Sequence, residues 1–180
     1  MKKTILSLAL VLATGLLFAQ KKTTTSAVIS FDATTALDAL PKAENKTVIA
    51  SLDTKTGKLA FEATIKNFAF SNPRIQEHFN NKGWMDSDNF PTAGFAGTIS
   101  DLSAVKFAKN GVYMVTVKGD LTLHGVTKTI EAPATITVDG TSIKAASVFG
   151  IKLADYGVDG AAIGAGKVSK EPTITVSAGF

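Results

Sequence analysis

The chain has no cysteine among its 180 residues. That excludes a disulfide framework, a thiolate metal site and a thiol for lipid attachment, so the folded state must rest on an apolar core. Histidine is nearly as scarce, with His78 and His124 the only two copies, which leaves little for imidazole-based metal binding or acid–base chemistry. One tryptophan and two tyrosines are too few for the aromatic girdles that membrane-spanning barrels wear at both interfaces. Charge of one sign is also missing. The formal excess is +4, it falls to +2 without Lys2 and Lys3, and its lysines are scattered, so no nucleic-acid partner is expected.

Long apolar runs occur once. Lys2 and Lys3 precede an uncharged stretch from residue 4 to 18, and Leu17-Phe18-Ala19 offers a small-residue cleavage site before Gln20. The expectation is a secretory signal peptide over residues 1–19 and one mature domain over 20–180, located in the periplasm or secreted.

What is abundant is alternation. Apolar and polar residues trade places with a period of two, the signature of half-buried strands. Eight segments read this way: 24–31, 47–52, 58–66, 92–100, 112–123, 127–138, 142–153 and 173–180. Their dry phase carries Leu59, Phe61 and Ile65; Phe95; Tyr113, Val115, Val117, Leu121 and Leu123; Phe149, Ile151 and Leu153; and Ile174 and Val176. Thr56-Gly57, Asn110-Gly111, His124-Gly125 and Asp139-Gly140 supply turns between consecutive strands. A meander with one apolar face leaves two raw edges unless it closes, so the expected architecture is an all-β, eight-stranded antiparallel barrel.

One short helix is expected over residues 72–82. Asn72 suits the N-cap, Pro73 the first helical position and Gly83 the stop. Ile75 and Phe79 share one face, which makes this helix a lid across a barrel end. The stretch 155–172, rich in Gly and Ala, reads as a mobile loop at a barrel mouth.

A barrel of eight strands is just wide enough to be filled by side chains, or to hold one ligand if those side chains are small. Ala63, Ala93, Gly97, Gly119, Ala132, Ala134, Ala145 and Ala178 fall on the dry phase. They fit an open tube, and they equally fit relief of a tight inner radius. In an open tube the fourteen large dry-phase residues above become a lining for a long apolar ligand, bound by burial at ~25 cal/mol per Å².

The chain's partial catalytic patterns all fail. His124 falls on the polar phase beside a turn glycine, and His78 reads as lid packing. Asp86-Ser87-Asp88-Asn89-Phe90 begins like a calcium loop but places a phenylalanine where an oxygen ligand belongs. Gly160 to Lys167 has the wrong glycine spacing for a phosphate loop, and Val168 stands where Ser or Thr is needed. There is no Gly-x-Ser-x-Gly elbow. Neither an enzyme, nor a metal site, nor a cofactor is expected.

The stretch 117–130, VKGDLTLHGVTKTI, resembles the signature of the YceI-like polyisoprenoid-binding family through Gly119, Leu121, Thr122, Gly125, Val126, Thr127 and Lys128. FEATIKNF (61–68), His78-Phe79-Asn80, Asp88-Asn89-Phe90-Pro91 and FGIKLADYGV (149–158) extend the likeness along the mature chain. The resemblance implies a lipocalin-like barrel, exported to the periplasm, holding an isoprenoid or fatty chain in an apolar tunnel. Family members often carry His-Ser where this chain has Ser26-Ala27, and Arg where it has Leu153, which implies a different head group or none. Two other readings share the strand pattern: an integral outer-membrane barrel, and a filled barrel acting as a protein-interaction module.

Overall fold

A computed structural model describes residues 21–180; the expected signal peptide lies outside them. In chain order the elements are β1 (Lys21–Asp32), β2 (Lys42–Asp53), β3 (Lys58–Thr64), β4 (Ala69–Phe70), α1 (Pro73–Asn80), β5 (Thr92–Ile99), β6 (Gly111–Leu123), β7 (Val126–Asp139), β8 (Ser142–Gly150), the single turn α2 (Ala161–Gly164) and β9 (Thr173–Gly179). Every pairing is antiparallel. β1 pairs with both β2 and β9, so the eight long strands close on themselves, and β4 is a two-residue addition to β2.

Local chemistry explains the connections. His124 and Gly125 form a two-residue turn with φ of 51° and 74°, the double positive φ of a type I′ hairpin. Between β7 and β8 the turn is Gly140-Thr141, with Asp139 pairing as the last strand residue. Only Gly140 has positive φ there, at 59°, as a first turn position can demand. α1 begins as expected: the Asn72 side chain accepts the Arg74 N–H at 2.9 Å. It ends at Asn80, before Lys82, because Asn81 turns to extended backbone with ψ of 164°, its N–H still bonding the Glu77 and His78 carbonyls at 3.2 Å.

Other expected boundaries shift for stated reasons. β3 stops at Thr64, where a 3₁₀ turn (Ile65–Asn67) draws the Ile65 N–H to the Pro91 carbonyl at 2.8 Å. β8 stops at Gly150, although the Ile151 and Leu153 N–H groups still reach Pro172 O and Lys170 O at 3.2 and 3.0 Å in the register of β8 and β9. The glycine- and alanine-rich stretch expected to be a loose loop is packed: Tyr156, Val158, Ile163 and Val168 are buried. Its small residues permit close approach, since a Cβ on Gly160 would lie 2.4 Å from Gly83 O. β1 and β2 slip register near Ala27–Ile29. There Asn45, fully buried, donates to Thr64 O and accepts from Thr47 N–H and Oγ1 at 2.9–3.0 Å.

Inward side chains form two clusters. One gathers Leu52, Ile99, Val105, Val117, Ile136, Val138 and Ile143. The other gathers Phe31, Phe68, Phe70, Phe79, Trp84 and Met85 with Leu123, Leu153 and Tyr156.

Candidate functional site

An unfilled cavity of about 150 Å³ lies inside the barrel. Strand phase builds it: Leu59, Phe61 and Ala63 of β3, Ala93 and Phe95 of β5, Val117, Leu121 and Leu123 of β6, and Ile174 and Val176 of β9 all face it. Phe149, Ile151 and Leu153, at the end of β8 and just past it, complete one wall, and Ile65 enters from the 3₁₀ turn. Several of these, including Phe61, Phe95, Leu121 and Phe149, are only half-buried, as residues bordering empty space must be.

Two expected lining residues do not reach the cavity. Tyr113 and Val115 have the inward phase but pack against the aliphatic cluster beyond its floor. The Tyr113 hydroxyl donates to Lys109 O at 2.8 Å. The lid divides likewise. Phe79 lines the cavity, whereas Ile75 packs behind it against the aromatic cluster. Ile29 and Phe31 of β1, Phe68 and Met85 line it as well, beyond the expected set. Phe68 and Met85 lie outside any strand, so alternation gives no sign of them; the density of aromatics between Phe68 and Phe90 was the available signal.

Phe79 is the hub of the aromatic end. Its ring lies 4.9 Å from Phe70, 5.3 Å from Trp84 and 5.9 Å from both Phe31 and Phe68. Tilted and edge-on rings at such distances add about 0.5–1.5 kcal/mol per pair beyond burial. His78 is exposed on the outer side of α1 and does not pack with the lid. His124 sits in its turn, with its ring 4.4 Å from Phe90 and Nδ1 3.2 Å from Tyr156 O.

The wall by β5 and β6 depends on two glycines. Gly97 and Gly119 oppose each other, and the Phe95 ring lies over both. A Cβ on either would come within 2.7 Å of that ring. The ring therefore rests against the wall and leaves the lumen free.

Electrostatically the cavity is blank. Ser147 alone among its lining residues has a polar side chain, and its Oγ donates to Pro133 O at 2.6 Å. The nearby Tyr156 phenol is raised above its ordinary range by burial and then by the charge of Asp155. Among the described residues no three His, Cys, Asp or Glu side chains come together as a metal group would. Nothing here can orient a polar substrate; the cavity can exclude water and enclose hydrocarbon.

No curated protein matches the chain. Among solved structures, a polyisoprenoid-binding domain from Saccharophagus degradans implicated in plant cell wall breakdown superposes with a TM-score of 0.74 at 15% identity, covering 89% of this chain and 97% of that one. Burkholderia cenocepacia BcnA gives 0.71 at 19% identity, covering 86% and 96%. A Campylobacter jejuni YceI protein gives 0.53 at 19%, covering 74% and 80%. These likenesses are of fold. The family model described as a YceI-like domain matches residues 18–180, nearly the whole chain, and the chain therefore belongs to the YceI-like family.

Proposed function

We propose that this protein is an exported binding protein that encloses an apolar ligand, an isoprenoid or fatty chain, for carriage or storage in the bacterial envelope, without turning it over. The observation that carries the reading is the cavity wall, apolar throughout except for a serine whose hydroxyl is already bonded. The polyisoprenoid-binding character of the Saccharophagus degradans domain, which shares the fold, supports the same ligand class. Export is supported by the Lys2-Lys3 start, the apolar run 4–18 and the site before Gln20.

Capacity sharpens the proposal. About 150 Å³ is the size of an engineered apolar cavity that takes up benzene. A short apolar segment fits without rearrangement, and a long chain requires the half-buried Phe61 or Phe149 bordering the space to move aside. Each methylene buried contributes about 0.8 kcal/mol, a factor of about four in Kd. Affinity for a fatty-acid series should climb by that step and flatten where the tunnel is full.

The outer wall opposes a membrane-spanning reading. Lys58, Glu62, Lys118, Glu131 and Lys144 are exposed on it, where a lipid-facing belt would be apolar and each lysine near the midplane would cost about 2–4 kcal/mol. Native mass spectrometry of the protein purified from a periplasm, followed by organic extraction, tests the binding. A co-purifying hydrocarbon-rich lipid is expected. An empty protein that takes up nothing from a lipid extract would return the weight to a protein-interaction barrel.

A further inference from the structure

β7 and β8 pair only from Ala134 opposite Ser147 to Asp139 opposite Ser142. Beyond that point they part. The first half of β7 is held by β6 alone, and among the described residues no strand lies along its other edge. The cause is local: Pro133 has no N–H to donate, and its carbonyl is taken by Ser147 Oγ, so the ladder ends there. At the far end the parting is bounded by the contact of His124 with Tyr156 O. The result is a framed gap in the barrel side.

Three observations connect that gap to the cavity. Ile130 and Ala132 on its β7 edge and Ser147 and Phe149 on its β8 edge all line the cavity. Ala146, exposed and on the outward phase one residue inside the last paired position, touches the cavity too. Lys128 supplies the third. Its neighbours Thr127 and Thr129 bond Thr122 and Asp120 on the outer face, so Lys128 has the inward phase, yet it is exposed. The inner wall meets solvent here. Pro133 and Val148 make the outer rim apolar, Val148 being 55% exposed.

We propose that the apolar ligand enters and leaves through this side window between β7 and β8, passing between Ile130 and Phe149, and not through the aromatic end. The proposal rests on the binding function given above. An obstacle on a route slows arrival and departure by the same factor and leaves the equilibrium untouched, which separates a gate from a binding contact.

The absence of cysteine makes the test clean. Val148→Cys and Glu131→Cys each place one thiol on the rim, Arg74→Cys places one on the lid, and Glu62→Cys places one on the opposite outer wall. Each is coupled to a maleimide–polyethylene glycol, and N-phenyl-1-naphthylamine is followed by stopped-flow fluorescence. With either rim label, association and dissociation rates should fall together by about tenfold while Kd stays within about twofold. The wall and lid labels should change neither rate. Unchanged rates with both rim labels, or slowing by the lid label instead, overturn the window with binding intact. If the unlabelled protein binds neither this probe nor a fatty acid, the functional reading fails and the window with it.

Discussion

The two ends of the barrel are closed by different means. The aliphatic end is made mostly by the strands themselves, with Val105 added from the β5–β6 connection: Leu52, Ile99, Val138 and Ile143 sit near hairpin turns and meet because neighbouring strands are in register. The aromatic end is recruited from afar, from β1, the residues around β4, α1, the turn after it and the stretch 151–168. A floor comes free with a meander, whereas a plug must be assembled from segments that strand pairing does not bring together. The difference also shows in polar bookkeeping. Among the described residues the buried side-chain atoms with no partner, Asn80 Oδ1 and Trp84 Nε1, both lie on the plug side.

The largest expected effect is at the plug's hub. Phe79→Ala should cost about 3–5 kcal/mol by urea denaturation and should admit bulkier probes, since Phe79 borders the cavity. Leu52→Ala in the floor should destabilise by about 2–5 kcal/mol and leave probe affinity unchanged; equal loss of affinity in both would break the comparison. Gly119→Ala should cost about 1–3 kcal/mol through overpacking, because its Cβ would meet Gly97 Cα at 2.4 Å and Ala96 O at 2.5 Å as well as the Phe95 ring at 2.7 Å; the β5 backbone and the ring must both shift, weakening probe binding. Trp84→Phe should stay within about 1 kcal/mol of the parent, because removing an unpaired buried donor offsets lost area.

The smallest effect concerns the outer wall. Glu131, by its hydrogen bond and then by its charge, raises the Lys118 ammonium above its ordinary 10.5. The stabilisation is thus fully present at neutral pH and is lost as pH climbs through the raised value. A denaturation series comparing Lys118→Ala with the parent should show a small, constant difference that closes only above pH 10.5.

These contrasts explain what could be read in advance. Period-two alternation and the glycine turns identify eight strands and their order, because both are local. The same alternation places Tyr113 and Val115 inside but not at what depth, since phase fixes a face and barrel stagger fixes a level. The Gly- and Ala-rich stretch looked mobile because its composition is that of loops. Its order comes from Tyr156, Val158 and Ile163 joining the same buried cluster as Phe31, and from the Ser169 N–H bonding Ala33 O at 2.8 Å, more than a hundred residues away. The register slip at Asn45 was equally hidden: a buried asparagine is explained only once Thr64 O and Thr47 stand beside it.

Closure of the sheet leaves the first half of β7 as the longest unpaired strand margin among the described residues. Such margins invite another chain to add itself as a strand. This one is guarded by composition: Pro133 cannot donate, and Lys128 and Glu131 project charge from its two faces. A protein that keeps a permanent opening in its wall thereby keeps it from becoming a seam for its own polymerisation. Replacing those three residues with threonine or valine would turn a doorway into an aggregation site.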